Sequence, residues 1–243
     1  MVNIDTVYQR VLAIANKEQR GYITPQEFNL YANQAQMDVF EQYFYDLNAF
    51  QRIPGNDSTH SDVVDILQEK IDIFEKYRET VVMQNQGVGT LPDYYRMGEL
   101  YTNKIGDYVE IEKLNQNEVH HILASPLTAP SATYPVYIRT SGATEANRNR
   151  LIQIYPTTIG ASDTVVCNYI ARPATVVWGF TVINDQAMYN SSTTSTTHFE
   201  LHPSEETELV VKILEQAGMS IKDPALANYA AKEELQNTQQ EKQ

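Results

Sequence analysis

One cysteine, Cys167, is all the chain has. No intrachain disulfide can form, which fits a reducing compartment or a particle assembled in one. Basic residues are also scarce, with 18 Lys and Arg against 31 Asp and Glu and a net charge of -13. That balance disfavours gripping nucleic acid through its phosphates or docking on an anionic membrane. It is compatible with a wall past which nucleic acid slides, where repulsion helps. No apolar run approaches the length of a membrane span. The opening MVNIDTVYQR lacks the basic and apolar regions of a signal peptide. Phosphate-binding glycine loops, dinucleotide fingerprints and nucleophile elbows are missing too.

What is abundant is tyrosine, 16 against 7 Phe. Tyrosine tolerates half-wet positions, so it suits both interfaces and half-exposed strands. The 243 residues suffice for one large domain or two small ones.

The segment NKEQRGYITPQEF resembles the second half of an EF-hand, with Gly21 at loop position 6 and Glu27 at position 12. The chemistry speaks against calcium, because Asn16, Glu18 and Arg20 then stand at ligand positions 1, 3 and 5 and Arg20 is a cation. A helix connection accounts for the same residues. Gly21 ends a first helix over Ile4 to Lys17. Thr24 caps a second, with Pro25 at its first position and Glu27 three residues after the cap.

That second helix runs from Pro25 to about Asn48, with apolar positions from Phe28 to Leu47 at helical spacing. A stripe so wide needs partners on more than one side. A third helix is expected from Ser61 to about Tyr77. Short β-branched and tyrosine-rich runs then follow, at 80–83, 93–101, 108–113, 136–140, 150–155, 164–171 and 176–180. One short helix, capped by Asn115 and reaching Leu123, interrupts them. Prolines 126, 130, 135, 156 and 173 fall at strand ends, as in an irregular antiparallel sheet with edge positions. A C-terminal helix starts at Ser204, buries Leu209, Val210, Ile213, Leu214 and Ala217, and stops at Gly218. Asp223-Pro224 opens another helix, before the polar tail ELQNTQQEKQ.

The fold class is therefore α+β: a helical region over 1–79, a β-rich region over 80–203, and C-terminal helices with a tail over 204–243. The three are read as one integrated unit.

Chemistry-bearing residues are few. Cys167 lies mid-strand and reads as core. His120 and His121 are adjacent on a helix and point apart. In HFELH, a strand would put His198, Glu200 and His202 on one side, where they could hold zinc or iron. The competing reading has Phe199 and Leu201 packing inward and the polar residues facing solvent or a neighbour. The expectation is no catalytic metal and no cofactor.

Three stretches carry a resemblance to a known group: NKEQRGYITPQEFNLYANQAQMDVFEQYF, RLIQIYP followed by VVCNYIARPATVVWGF, and FELHPSEETELVVKILEQAG. In kind and order they resemble the head–tail connector or ring proteins of short-tailed bacteriophages, most nearly the version of the crAss-like phages. The resemblance implies a non-enzymatic virion protein that forms a ring, usually of twelve subunits, beneath the portal. Such a ring extends the DNA channel and seats the next tail component, with the portal and downstream tail proteins as partners. It implies assembly in the bacterial host cytoplasm. Two other expectations stand beside it: a neck or capsid-surface attachment protein, and a metal-dependent hydrolase built on His198, Glu200 and His202. For a ring or portal interface, the residues expected are Tyr43, Phe44, Leu209, Val210, Ile213 and Leu214.

Overall fold

The fold is that of a computed structural model, which describes residues 1–17, 23–51, 58–103, 106–142, 150–184, 186–192, 194–220 and 232. It is mixed helix and sheet, α+β. The chain forms two compact units, one of residues 1–73 with 173–243 and one of residues 74–172. The contact boundaries fall at 73/74 and 172/173, beside the composition boundaries at 79/80 and 203/204. The cause is pairing at a distance. Residues 173–203 complete the helical core rather than the sheet.

The helical unit holds α1 (Ile4–Lys17), α2 (Pro25–Gln51), α3 (Ser58–Asp72) and, after the insertion, α5 (Glu206–Ser220). The expected capping box starts α2. Thr24 N–H donates to the Glu27 carboxylate (3.0 Å), and Glu27 N–H donates to the Thr24 hydroxyl (3.3 Å). Gly21, the Asp223-Pro224 helix and the polar tail lie outside the described residues. α3 ends at Asp72, short of Tyr77, because the next residues join a strand. α5 continues through Gly218 to Ser220. α2 packs on both α3 and α5, and α1 packs on α5. Ile4, Val7, Phe28, Phe40, Trp178, Phe199, Leu201, Leu209 and Ile213 form the core, each at most 2% exposed.

The run over 176–180 is not a regular strand, although its backbone is paired as if it were. α2 presents Asn29, Asn33 and Gln36 along one face. The Asn33 side chain donates to the Val176 carbonyl and accepts from Val176 N–H, both at 2.8 Å. Asn29 treats Trp178 the same way, accepting from its N–H at 2.7 Å and donating to its carbonyl at 3.4 Å. Gln36 donates to the Ala174 carbonyl at 2.9 Å. A row of amides on a helix thus stands where a neighbouring strand would, and it satisfies buried backbone groups that would otherwise be orphaned. The segment then runs into a hairpin of β9 (Phe180–Ile183) and β10 (Gln186–Tyr189).

The second unit is a rolled sheet of β1 (Glu75–Thr80), β2 (Val82–Met83), β3 (Val88–Thr90), β4 (Arg96–Thr102), β5 (Val109–Lys113), β6 (Val136–Thr140), β7 (Leu151–Tyr155) and β8 (Val165–Ile170). Their spatial order is β1-β8-β4-β5-β6-β7-β3-β2, antiparallel except for β5 with β6. The two ends of that order, β1 and β2, are one extended run broken only at Val81. Val81 N–H donates to Val165 on β8 (2.9 Å), and Gln84 N–H donates to the Val88 carbonyl, at the start of β3 (2.6 Å). Amides an odd number of residues apart in an extended run point to opposite edges. The run therefore bonds β8 on one edge and β3 on the other, and the sheet closes into a small barrel. Along Glu75–Thr80 the second edge of β1 has no strand partner among the described residues, so the sheet keeps the edge positions expected of it. Val81, Leu100, Ile111, Tyr137, Ile152, Ile154, Val165 and Cys167 fill the interior. A short helix, α4 (Val119–Ala124), lies in the β5–β6 connection; its cap is Glu118 rather than Asn115.

Curvature has a visible source. β1 and β4 both bulge where they flank Asn168 of β8, between Lys76 and Glu79 and between Met97 and Leu100. The Asn168 side chain accepts from Arg78 N–H (3.0 Å), and this holds Arg78 at φ 54. Across β8, a Cβ on Gly98 would lie 2.9 Å from the Asn168 carbonyl oxygen, so the glycine permits the close approach.

Candidate functional site

The three polar residues of HFELH do alternate with buried neighbours, since Phe199 and Leu201 are fully buried. An isolated bridge between Val2 and Phe199 holds the segment extended. Each polar side chain is engaged with nearby backbone. His198 Nδ1 accepts from Ile4 N–H (3.4 Å). Glu200 accepts from Ala174 N–H (3.0 Å). His202 Nδ1 accepts from Ser204 N–H (3.3 Å) and lies 2.8 Å from the Ser204 hydroxyl. Nδ1 of each ring is thus turned toward a backbone amide. Among the described residues, no group of three His, Cys, Asp or Glu is placed to hold an ion.

Cys167 is fully buried in the barrel. Burial, aided by the negative charge of Glu79, pushes its thiol up to about 12. It remains a thiol at neutral pH and is a poor nucleophile.

The six residues expected at an interface are placed elsewhere. Tyr43, Phe44, Leu209, Val210, Ile213 and Leu214 are all 5% exposed or less within the helical unit itself. The wide stripe of α2 is covered by α3 and α5 of the same chain, and its polar flank by the 174–178 segment. On the same helices Leu30 and Tyr45 of α2 and Ile66 of α3 are exposed.

Near Tyr43 lies a buried ion pair. Lys70 of α3 contacts Glu205 at 2.7 Å, with their side chains 16% and 4% exposed. Glu205 occupies the 3-10 turn (Pro203–Glu205) leading into α5 and also accepts from the Ser204 hydroxyl (3.0 Å). Burial alone would raise its carboxyl. Hydrogen bonds with Lys70, Glu208 and Ser204, together with the Lys70 charge, outweigh burial and hold it below the usual carboxylate range. The Lys70 ammonium also lies 5.6 Å from the Tyr43 ring centre. This cluster ties α2 and α3 to the turn that leads into α5.

Two features stand out on the surface. The first is charge. The helical unit has nine basic and twenty-one acidic residues, net -12, whereas the barrel has nine and ten, net -1. The second is the β9–β10 hairpin, where Val182 is 63%, Ile183 53% and Met188 53% exposed. At its base Trp178 stacks with Phe180 and Tyr189, with ring centres 5.9 Å apart in both pairs. The expected strand over 176–180 stops where this hairpin begins. Among the described residues, no helix is long and apolar enough to cross a membrane. No family model and no curated protein matches the chain.

Proposed function

We propose that this chain is a structural virion protein that forms a ring at a phage head–tail junction, beneath the portal. The ring extends the DNA channel and seats downstream tail components. The observation that carries this reading is the concentration of -12 of the charge in the helical unit. An acidic wall repels DNA over a Debye length of about 10 Å at 0.1 M salt, so a genome can pass without sticking. The resemblance of the three sequence stretches to connector proteins supports the same reading. So does the engagement of His198, Glu200 and His202 with backbone groups.

The test is assembly with the portal. Portal protein mixed with this chain is expected to give a complex of closed rotational symmetry by electron microscopy. Duplex DNA is expected to show no tight binding at physiological salt. A chain that ignores the portal and every other particle component, or that binds DNA tightly, overturns the reading.

A further inference from the structure

We propose that the β9–β10 hairpin is the contact through which copies of this chain associate head to tail, the outer edge of β10 in one copy pairing with the outer edge of β9 in the next. The inference rests on the ring reading for closure of the series; the pairing itself concerns two copies only.

The hairpin has two open edges. Ile183 opposes Gln186 and Thr181 opposes Met188. Across a two-residue turn such pairs exchange the ladder bonds, and the bond from Asn190 N–H to the Gly179 carbonyl (2.9 Å) continues the same alternation. The N–H and C=O of Phe180 and Val182 on β9, and of Ala187 and Tyr189 on β10, therefore point outward. Among the described residues, no backbone hydrogen bond reaches them. Free edges of this kind are templates for another strand, and proteins usually guard them with charge or proline. The eight strand residues FTVI and QAMY contain neither.

Charge identifies the occupant. Two copies that each carry -12 in the helical unit repel wherever their acidic surfaces meet. A basic partner would be drawn to those acidic surfaces. A second copy needs a surface without charge, and these strands supply one. Symmetry gives the direction. The β9 and β10 edges differ in sequence, so β10-to-β9 pairing uses two different surfaces. A contact of that type repeats around a ring, whereas β9-to-β9 pairing stops at a two-fold dimer. Each pairing spans four-residue strands and is weak alone; closing the ring makes the series cooperative.

The experiment has two arms. In the first, sedimentation over rising concentration compares the full chain with Ala187→Pro and with the double change Val182→Lys, Met188→Lys. The outward N–H of Ala187 takes no part in the hairpin ladder, so proline there blocks the new pairing and spares the old. Trp178, the only tryptophan, lies against the hairpin base and reports by its emission that the hairpin is intact. The wild type is expected to self-associate, and both variants to associate roughly tenfold or more weakly with unchanged emission. In the second arm, Val182→Cys and Ala187→Cys proteins are treated with a short bis-maleimide, separately and mixed. Buried Cys167 is shielded from the reagent. Cross-links are expected only in the mixture. Self-association untouched by either hairpin variant overturns the hairpin contact and leaves the ring reading standing. Cross-links within one variant alone show two-fold pairing and overturn the head-to-tail claim. A wild type that is monomeric at every concentration overturns the hairpin contact, and the portal experiment then decides the ring reading by itself.

Discussion

Replacing Asn33 by leucine isolates the amide row on α2. The change removes both bonds to Val176, each 2.8 Å, and a third from the Asn33 side chain to the Asn29 carbonyl (2.7 Å). Volume is nearly kept. Val176 is fully buried, so its N–H and C=O have no water to turn to. An orphaned buried backbone group costs about 1–3 kcal/mol, which puts the pair at roughly 4 kcal/mol. The better helix propensity of leucine returns about 0.5 kcal/mol. A net loss of about 3.5 kcal/mol is expected. Urea unfolding followed by Trp178 emission reads it, because Trp178 lies two residues beyond Val176 in the same unit. Hydrogen exchange gives a local check, since the Val176 amide should lose protection before its neighbours. Asn48 is the control. Its side chain bonds the Phe44 carbonyl of its own helix (2.8 Å) and is exposed, so Asn48→Leu should cost less than about 0.5 kcal/mol. If Asn33→Leu proved as mild as the control and left Val176 exchange unchanged, the amide row would not be holding the segment.

Lys70→Met strands Glu205 in the core and should cost about 3 kcal/mol at pH 7. Because the folded carboxyl is held below its unfolded value, the wild-type contribution is complete above the unfolded pKa and fades as pH falls through the folded one. Paired denaturation curves should therefore converge toward acid pH. Thr24→Ala should cost about 1 kcal/mol by the same urea assay, through loss of the cap on α2. Calcium should give no saturable heat in titration calorimetry, because the Glu27 carboxylate is engaged with Thr24; an isotherm abolished by Glu27→Gln would refute this. Arg78→Gly should leave thermal stability equal or slightly higher, since glycine accepts φ 54 without penalty, whereas Arg78→Val should lower it by about 1–2 kcal/mol.

Local signals are legible in the sequence. The bounds of α1 and the Thr24–Glu27 box follow from spacing and cap chemistry within a few residues. Strands β5 to β8 lie within a residue or two of their expected ranges for the same reason. What depends on distant partners was not legible. β1 reads as the end of a helix until β8, some ninety residues on, is set beside it. Asn29, Asn33 and Gln36 look like the solvent side of α2, and only the 174–178 backbone gives them a purpose. The burial of the α2 and α5 faces follows the same rule. Tyr43, Phe44 and the apolar face of α5 seemed uncovered because the elements that cover them are far away in sequence. The hairpin was passed over because exposure, unlike periodicity, is not written in neighbouring residues.

The insertion of the barrel into the helical unit bears on the order in which the chain folds. The first three helices emerge 99 residues before Pro173, where the rest of their core begins. Joining those halves across an open chain of that length costs roughly 4 kcal/mol of closure entropy, from (3/2)RT ln n. Within the barrel, however, Ala171 N–H donates to the Phe74 carbonyl at 2.8 Å, so its entry and exit strands end side by side. Once the barrel has formed, its long connection behaves as a short clasp, and the helical halves meet without that cost. During synthesis, the inserted unit is complete before Trp178, Phe199 and α5 arrive, and it delivers them to helices that have been waiting for a partner.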